Sequence, residues 1–417
     1  MRQIGERGTG KGEGGSARAS RKPEARSVVA LALILAACAG GEGGAAAFTE
    51  RDSAGVTIVE NVRGSWSEDQ SWRLSAEPIV DIGVLEGEDE YQLFQVGGAV
   101  LLDDGRIVVA NGGTGELRYY DGDGRFLEAV GRKGEGPGEF ESMGSPILVG
   151  DSIFVYDFRL RRVSVLDLEG GFGRSFRVEG ALTVPAGTFS DGSSLFTAGL
   201  IFRPSEIAAV VRDTVLYAHV SREGEVLDSI GRFPSIEFYM LGTDQRAAAT
   251  SLPFGRRTYA AVHGQTAYLG SSDSYEIWRY TADGRLERIV RVAHEHLPVS
   301  QGDIELEKAD RLGDSDDNWR RTLERMFAQM PIPSTMPAFD GLETDALGNL
   351  WVREAVRPGA LEAVWTVFDT GGRMRGTALT PADLSVVEIG TDYLLGTWRD
   401  ELDVEHVQLY ELIKPGA

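Results

Sequence analysis

The chain has 417 residues, a formal net charge of −22, 42% apolar and 25% charged residues, and one cysteine. Those proportions exclude a wholly disordered chain, and the acidic balance excludes a nucleic-acid binder, because a phosphate backbone attracts Lys and Arg. A single cysteine excludes a disulfide framework and a Cys-based zinc ribbon.

Residues 1–27 are polar and carry seven basic against three acidic side chains. Residues 28–37, VVALALILAA, are uncharged. Ten residues of helix cover about 15 Å, half of a hydrocarbon core of about 30 Å. The segment 1–37 is therefore read as a signal peptide rather than a membrane span. The run ends Leu35-Ala36-Ala37-Cys38, which resembles a bacterial lipobox. The resemblance implies that Cys38 is lipidated and becomes the first mature residue. Residues 38–50 then read as a small-residue tether. The implied location is the cell envelope, with the membrane contacted through the lipid anchor, at the outer membrane or its periplasmic face where the cell has one.

From residue 92 onward one pattern recurs: a Gly-containing turn, an alternating apolar strand, a second strand, and an acidic-Gly turn. Copies stand at 103–124, 150–170, 190–224, 263–284 and 346–372, with a sixth at 388–412. The second turn falls at Gly124, Gly170, Gly224, Gly284 and Gly371. The first spacings lie near the blade length of about 40–50 residues typical of propellers. With the strand preceding each first turn, every unit has four strands, which predicts an all-β, six-bladed β-propeller over residues 51–417. The sixth unit lacks its outer strand. The segment Trp72–Gly83 matches that strand, so the N-terminal part of the domain is expected to complete the last blade and close the ring.

Two insertions break the period, one around Arg203–Arg212 and one at 300–338. In the second, Trp319, Leu323, Met326, Phe327 and Met330 share one face of a helix. Asp314, Ser315 and Asp316 offer N-cap oxygens, and Pro331 and Pro333 end the helix. One short helical insertion is expected, packed on the body.

The loop Gly131-Arg-Lys-Gly-Glu-Gly-Pro-Gly-Glu-Phe140, the segment 52–61 and the segment Asp345–Arg353 together resemble bacterial secreted six-bladed β-propeller lipoproteins of the NHL and TolB-like group. The resemblance spans roughly 52–412. It implies architecture, compartment and a binding task for a protein, peptide or glycan, not a reaction.

The glycine-rich loop is expected to join one blade to the next, with Phe140 plugging the interface and Arg132 pairing with Glu139. Its other reading is an anion site beside Arg132 and Lys133. Asp121-Gly-Asp123-Gly starts like a calcium loop, but Arg132 stands where an EF-hand needs Glu. His294 and His296 give two imidazoles without an identifiable third ligand. Asp157, Arg159, Arg353 and Glu354 follow apolar strands, where the chain should emerge at one ring face, and are the candidate binding residues with Arg132, Lys133 and Glu139. No catalytic residue and no protein metal ligand is assigned. The alternative to a non-enzymatic binding module is a calcium-centred, lactonase-like hydrolase, with Ca2+ as its cofactor; it needs several carboxylates converging on the channel.

Overall fold

The computed structural model describes residues 46–198, 208–243, 246–313 and 315–415. The segment read as a signal peptide, Cys38 and most of the segment read as a tether lie outside the described residues. Residues from Ala46 onward form one compact unit.

Six four-stranded blades follow each other along the chain. Blade one comprises Val96–Leu101, Ile107–Asn111, Glu116–Tyr120 and Phe126–Gly131. Blade two runs from Met143 to Arg177, blade three from Leu182 to Pro234, blade four from Thr258 to Val292, and blade five from Gly341 to Pro381. Each strand within a blade pairs antiparallel with its neighbour.

The repeated acidic turn has a common mechanism. Asp121 Oδ1 accepts from the backbone N–H groups of Asp123 (3.0 Å) and Arg125 (2.8 Å), while the Gly124 N–H donates to the Asp121 carbonyl. Asp167 and Asp369 do the same at their turns. The carboxylate thereby satisfies turn amides, and the fourth residue sits at positive φ, which favours glycine. In blade five that residue is Gly372, at φ +75°, rather than the Gly371 counted from sequence. Of the Asp121 oxygens that would begin a calcium loop, Oδ1 is thus occupied by backbone amides and Oδ2 lies 3.6 Å from the Arg125 guanidinium.

Blade six has three strands from the C-terminal part, Ser385–Ile389, Tyr393–Arg399 and Glu405–Ile413. Its fourth strand is Val80–Ile82, antiparallel to the last of them with Val407 opposite Ile82. Trp72–Leu74 plays a different part from the one expected. It pairs parallel with Met374–Pro381 of blade five and antiparallel with Glu405–Ile413 of blade six, so it bridges two blades. Upstream, the hairpin Phe48–Ser53 and Val56–Asn61 extends blade four, Ile58 lying parallel to Ile289. That hairpin begins inside the segment read as tether.

The core is partitioned between blades. Six apolar clusters correspond to the six blade interfaces. The one between blades six and one contains Val80, Ile82, Ala99, Ile107, Val109 and Leu409, so the closing strand brings apolar surface as well as hydrogen bonds. Phe140 plugs the interface of blades one and two and is fully buried, and Trp351 is fully buried between blades five and six.

Two helices, not one, occupy the larger insertion: α1, Gln301–Gly313, and α2, Asp317–Phe327. Asp316 caps α2, its Oδ1 accepting from Asn318 N (2.9 Å) and Trp319 N (2.8 Å). Leu323, Met326 and Met330 pack on Tyr239 of a hairpin, Phe238–Thr243 and Arg246–Ser251, inserted between blades three and four, and on Leu252 just after it. The two insertions thus share a small core of their own, separate from the blade interfaces.

Candidate functional site

Each inner strand starts, and each second strand ends, at the same end of its blade: Met143 pairs with Asp157 and Gly341 with Arg353. All seven sequence-derived candidates sit at that end. They do not converge. Asp157 is fully buried and accepts from four backbone amides, those of Glu141 (2.7 Å), Ser142 (3.2 Å), Arg159 (3.0 Å) and Leu160 (2.8 Å). Arg159 is 75% exposed, 3.7 Å from Glu141.

Arg132 donates to Glu139 Oε1 at 2.6 and 2.8 Å, and Glu139 Oε2 accepts from Gly136 N at 2.8 Å. Those bonds hold the Glu139 carboxyl below its ordinary range, the Gly136 amide first. Lys133 Nζ donates to the Glu141 carbonyl, and Arg162 closes the loop from below by donating to the carbonyls of Glu135, Gly136 and Glu139. The glycine-rich loop is thereby tied to itself and to blade two.

Arg353 borders a recess, whereas the Glu354 side chain turns to Tyr275 and Thr366. Arg353 pairs with Asp340, whose second oxygen accepts from Val356 N at 3.0 Å. Burial pushes the Asp340 carboxyl up despite that guanidinium. Glu354 Oε1 accepts from Thr366 (2.7 Å) and Tyr275 (3.1 Å), and burial raises its carboxyl too.

The recess has three connected parts. The channel, with a volume of about 590 Å³, is lined by inner strands of all six blades: Ala99, Ile147, Gly187, Ala260, Glu343 and Val386 represent them. Its mouth, about 370 Å³, adds Arg257, Tyr259, Asp340, Arg353 and Trp365. A third chamber, about 350 Å³, lies beside Glu307 of α1 and Arg357. Arg257, Tyr259 and Asp340 line both mouth and chamber, while Ala260 and Glu343 line both mouth and channel. The three hollows therefore adjoin, from the helical insertion into the ring. Another hollow of about 580 Å³, walled by Leu182, Leu216, Phe238 and Met240, is mostly apolar. The site is assigned to the channel mouth, where charged groups meet.

Two groups there stand out chemically. The Arg257 guanidinium lies 4.9 Å from the Tyr259 ring centroid and pairs with no carboxylate among the described residues. Glu343 has no hydrogen-bond partner among the described residues, and burial pushes its carboxyl up to about 8, with the Arg353 charge pulling the other way. Neither was singled out from sequence. A signal existed for Glu343: it stands five residues before the turn glycine Gly348, where blade one has Val100 before Gly105. His294 and His296 have ring centroids 5.5 Å apart, and burial then the His296 charge lower the His294 imidazole. No group of three or more His, Cys, Asp or Glu that could hold a metal ion occurs among the described residues.

A family model described as a 6-bladed beta-propeller, DUF5128, matches residues 79–231. The match starts at the closing strand and runs through blades one to three. The chain is a six-bladed β-propeller. An exported protein from Bacteroides fragilis has 15% identity over 86% of this chain and 99% of its own, with a TM-score of 0.46. A DUF4221 family member from Bacteroides vulgatus has 10% identity over 83% and 100%, at 0.47. Regucalcin from Agrobacterium tumefaciens, titled a calcium-binding protein, has 14% identity over 82% and 96%, at 0.37. No curated protein matches the chain.

Proposed function

We propose that this propeller is a lipid-anchored, non-enzymatic binding module of the cell envelope, whose recess takes part of a protein, peptide or glycan. The observation that carries the binding reading is the set of adjoining hollows with a carboxylate-free guanidinium, Arg257, at the mouth and a carboxyl without a described partner, Glu343, deeper in. A carboxyl withdrawn from water without a partner, as Glu343 is, costs free energy that a ligand recovers, while the exposed Arg257 offers a guanidinium that no carboxylate neutralises. The anchoring half rests on the lipobox-like run ending at Cys38. The calcium-centred hydrolase draws no support from the channel carboxylates, since Asp345 and Glu388 are taken up in structural bonds and Glu343 stands alone.

Melting of the compact unit 46–417 against a panel of peptides, oligosaccharides and small metabolites tests the binding reading. Ligands should raise the melting temperature of the parent and lose that effect in an Arg257→Ala, Tyr259→Ala double variant. Equal shifts in both proteins would refute it. Metabolic labelling with a palmitate analogue tests the anchor: the full chain should take label and Cys38→Ser should not. An unlabelled parent would refute the anchor alone.

A further inference from the structure

The proposal deepens the recess reading and rests on it. The ionisable side chains lining the channel itself are Glu343, Asp345, Glu388 and His263; no Lys or Arg lines it. Two of the acids are spoken for. Asp345 Oδ1 accepts from Leu347 N (3.0 Å) and Asn349 N (2.9 Å), and its Oδ2 from Asn349 Nδ2 (2.8 Å) and Trp351 Nε1 (3.1 Å). Glu388 accepts from Leu101 N at 3.1 Å and from the Tyr393 hydroxyl. Glu343 alone is left over.

Its surroundings narrow the ligand. Ala186, Ala260, Val386 and Leu342 supply apolar side chains to an adjoining wall that also carries polar groups. Calcium needs about six to eight oxygen ligands, which one free carboxylate does not supply. An ammonium group has three N–H donors, and one carboxylate with a few hydroxyls or carbonyls satisfies them. Ser145 and Thr188 are hydroxyl-bearing residues of the same channel. We propose that the channel holds the protonated amine of an organic ligand, with the Glu343 carboxylate as its anchor and the apolar wall around the carbon stem. Arg257 at the mouth then meets any anionic part of the same molecule.

Binding is coupled to a proton. Since burial holds Glu343 largely neutral near pH 7, an entering ammonium must displace its proton. Affinity then rises roughly tenfold from pH 6 to pH 7 and levels off above about pH 8. Arg353 acts on this carboxyl directly, and the other titratable groups lining the same mouth and channel are Asp340, Arg257, Tyr259, Tyr217, His263, Asp345 and Glu388.

The test uses n-butylamine as probe, with 1-butanol and butyrate as matched controls, read by ligand-observed NMR on the unit 46–417. A probe this small should bind with a Kd on the order of 1 mM. Butanol and butyrate should bind at least about tenfold more weakly, the lost charge pairing being large in a desolvated site. Glu343→Gln should weaken butylamine by a similar factor and flatten its pH dependence. Melting of that variant checks that it folds, and the probe selectivity and pH slope of the parent test the idea without it. Equal binding of amine and alcohol, an unaffected Glu343→Gln, or no amine binding at about ten times the expected Kd would overturn it. If panel ligands still bind in an Arg257- and Tyr259-dependent way while butylamine does not, the amine fails and the recess stands; if neither binds, both fall.

Discussion

Ile82 is fully buried in the cluster between blades six and one, while Ile79, three residues earlier, is 59% exposed. Ile82→Ala removes three carbon groups from that interface. Their transfer is worth about 2.4 kcal/mol, and the cavity left behind brings the expected loss to about 3–4 kcal/mol. For a unit of this size that corresponds to a fall in melting temperature of about 4–5 °C. Ile79→Ala should stay within about 0.5 kcal/mol, because its side chain is mostly in water already. Urea unfolding of both variants of the unit 46–417 reads the difference directly. Equal effects, or a loss below about 1 kcal/mol for Ile82→Ala, would refute the claim that Val80–Ile82 closes the ring through apolar packing.

Other outcomes follow from the same structure. Asp157→Ala strands four backbone amides at the end of a blade-two strand and should cost about 2–4 kcal/mol in urea unfolding, whereas Arg159→Ala should cost less than about 0.5 kcal/mol. Glu343 has its folded carboxyl raised to about 8, so the folded state holds its proton more tightly than the unfolded chain. That contribution is fully present below the unfolded value and is lost as pH rises through about 8. Glu343→Gln should therefore lie above the parent in melting temperature at pH 8 and show a flatter profile between about pH 5 and 8; parallel profiles would contradict this. Asp316→Ala should destabilise α2 by about 1 kcal/mol, seen as faster amide exchange in the helical insertion with blade amides unchanged.

What sequence could reveal depended on whether the determinant was local. The acidic turns were legible because one Asp side chain organises five consecutive residues. The slip from Gly372 to Gly371 arose where two glycines adjoin. The α2 helix was legible from its apolar face and its cap. The α1 helix was not, because Ile304, Leu306 and Leu312 make a thin stripe and Leu306 stays exposed. It is held instead by a Ser300–Asp303 capping box, by Arg357 on Asp303 at 2.5 Å and by Arg311 on the Ser251 carbonyl at 2.7 Å. Two of these partners are distant in sequence. The recess was half legible for the same reason. Arg353 announced itself by its place at the end of a strand, but Arg257 and Tyr259 belong to blade four and Asp340 and Glu343 to blade five, so the two pairs meet only where those blades adjoin.

Locating a ligand tests the central claim most directly. A crystal structure of the unit 46–417 with the tightest ligand of the melting panel should show it between Arg257 at the mouth and Glu343 in the channel, touching Tyr259. A ligand seated outside that recess, with the channel filled by water alone, would contradict the account.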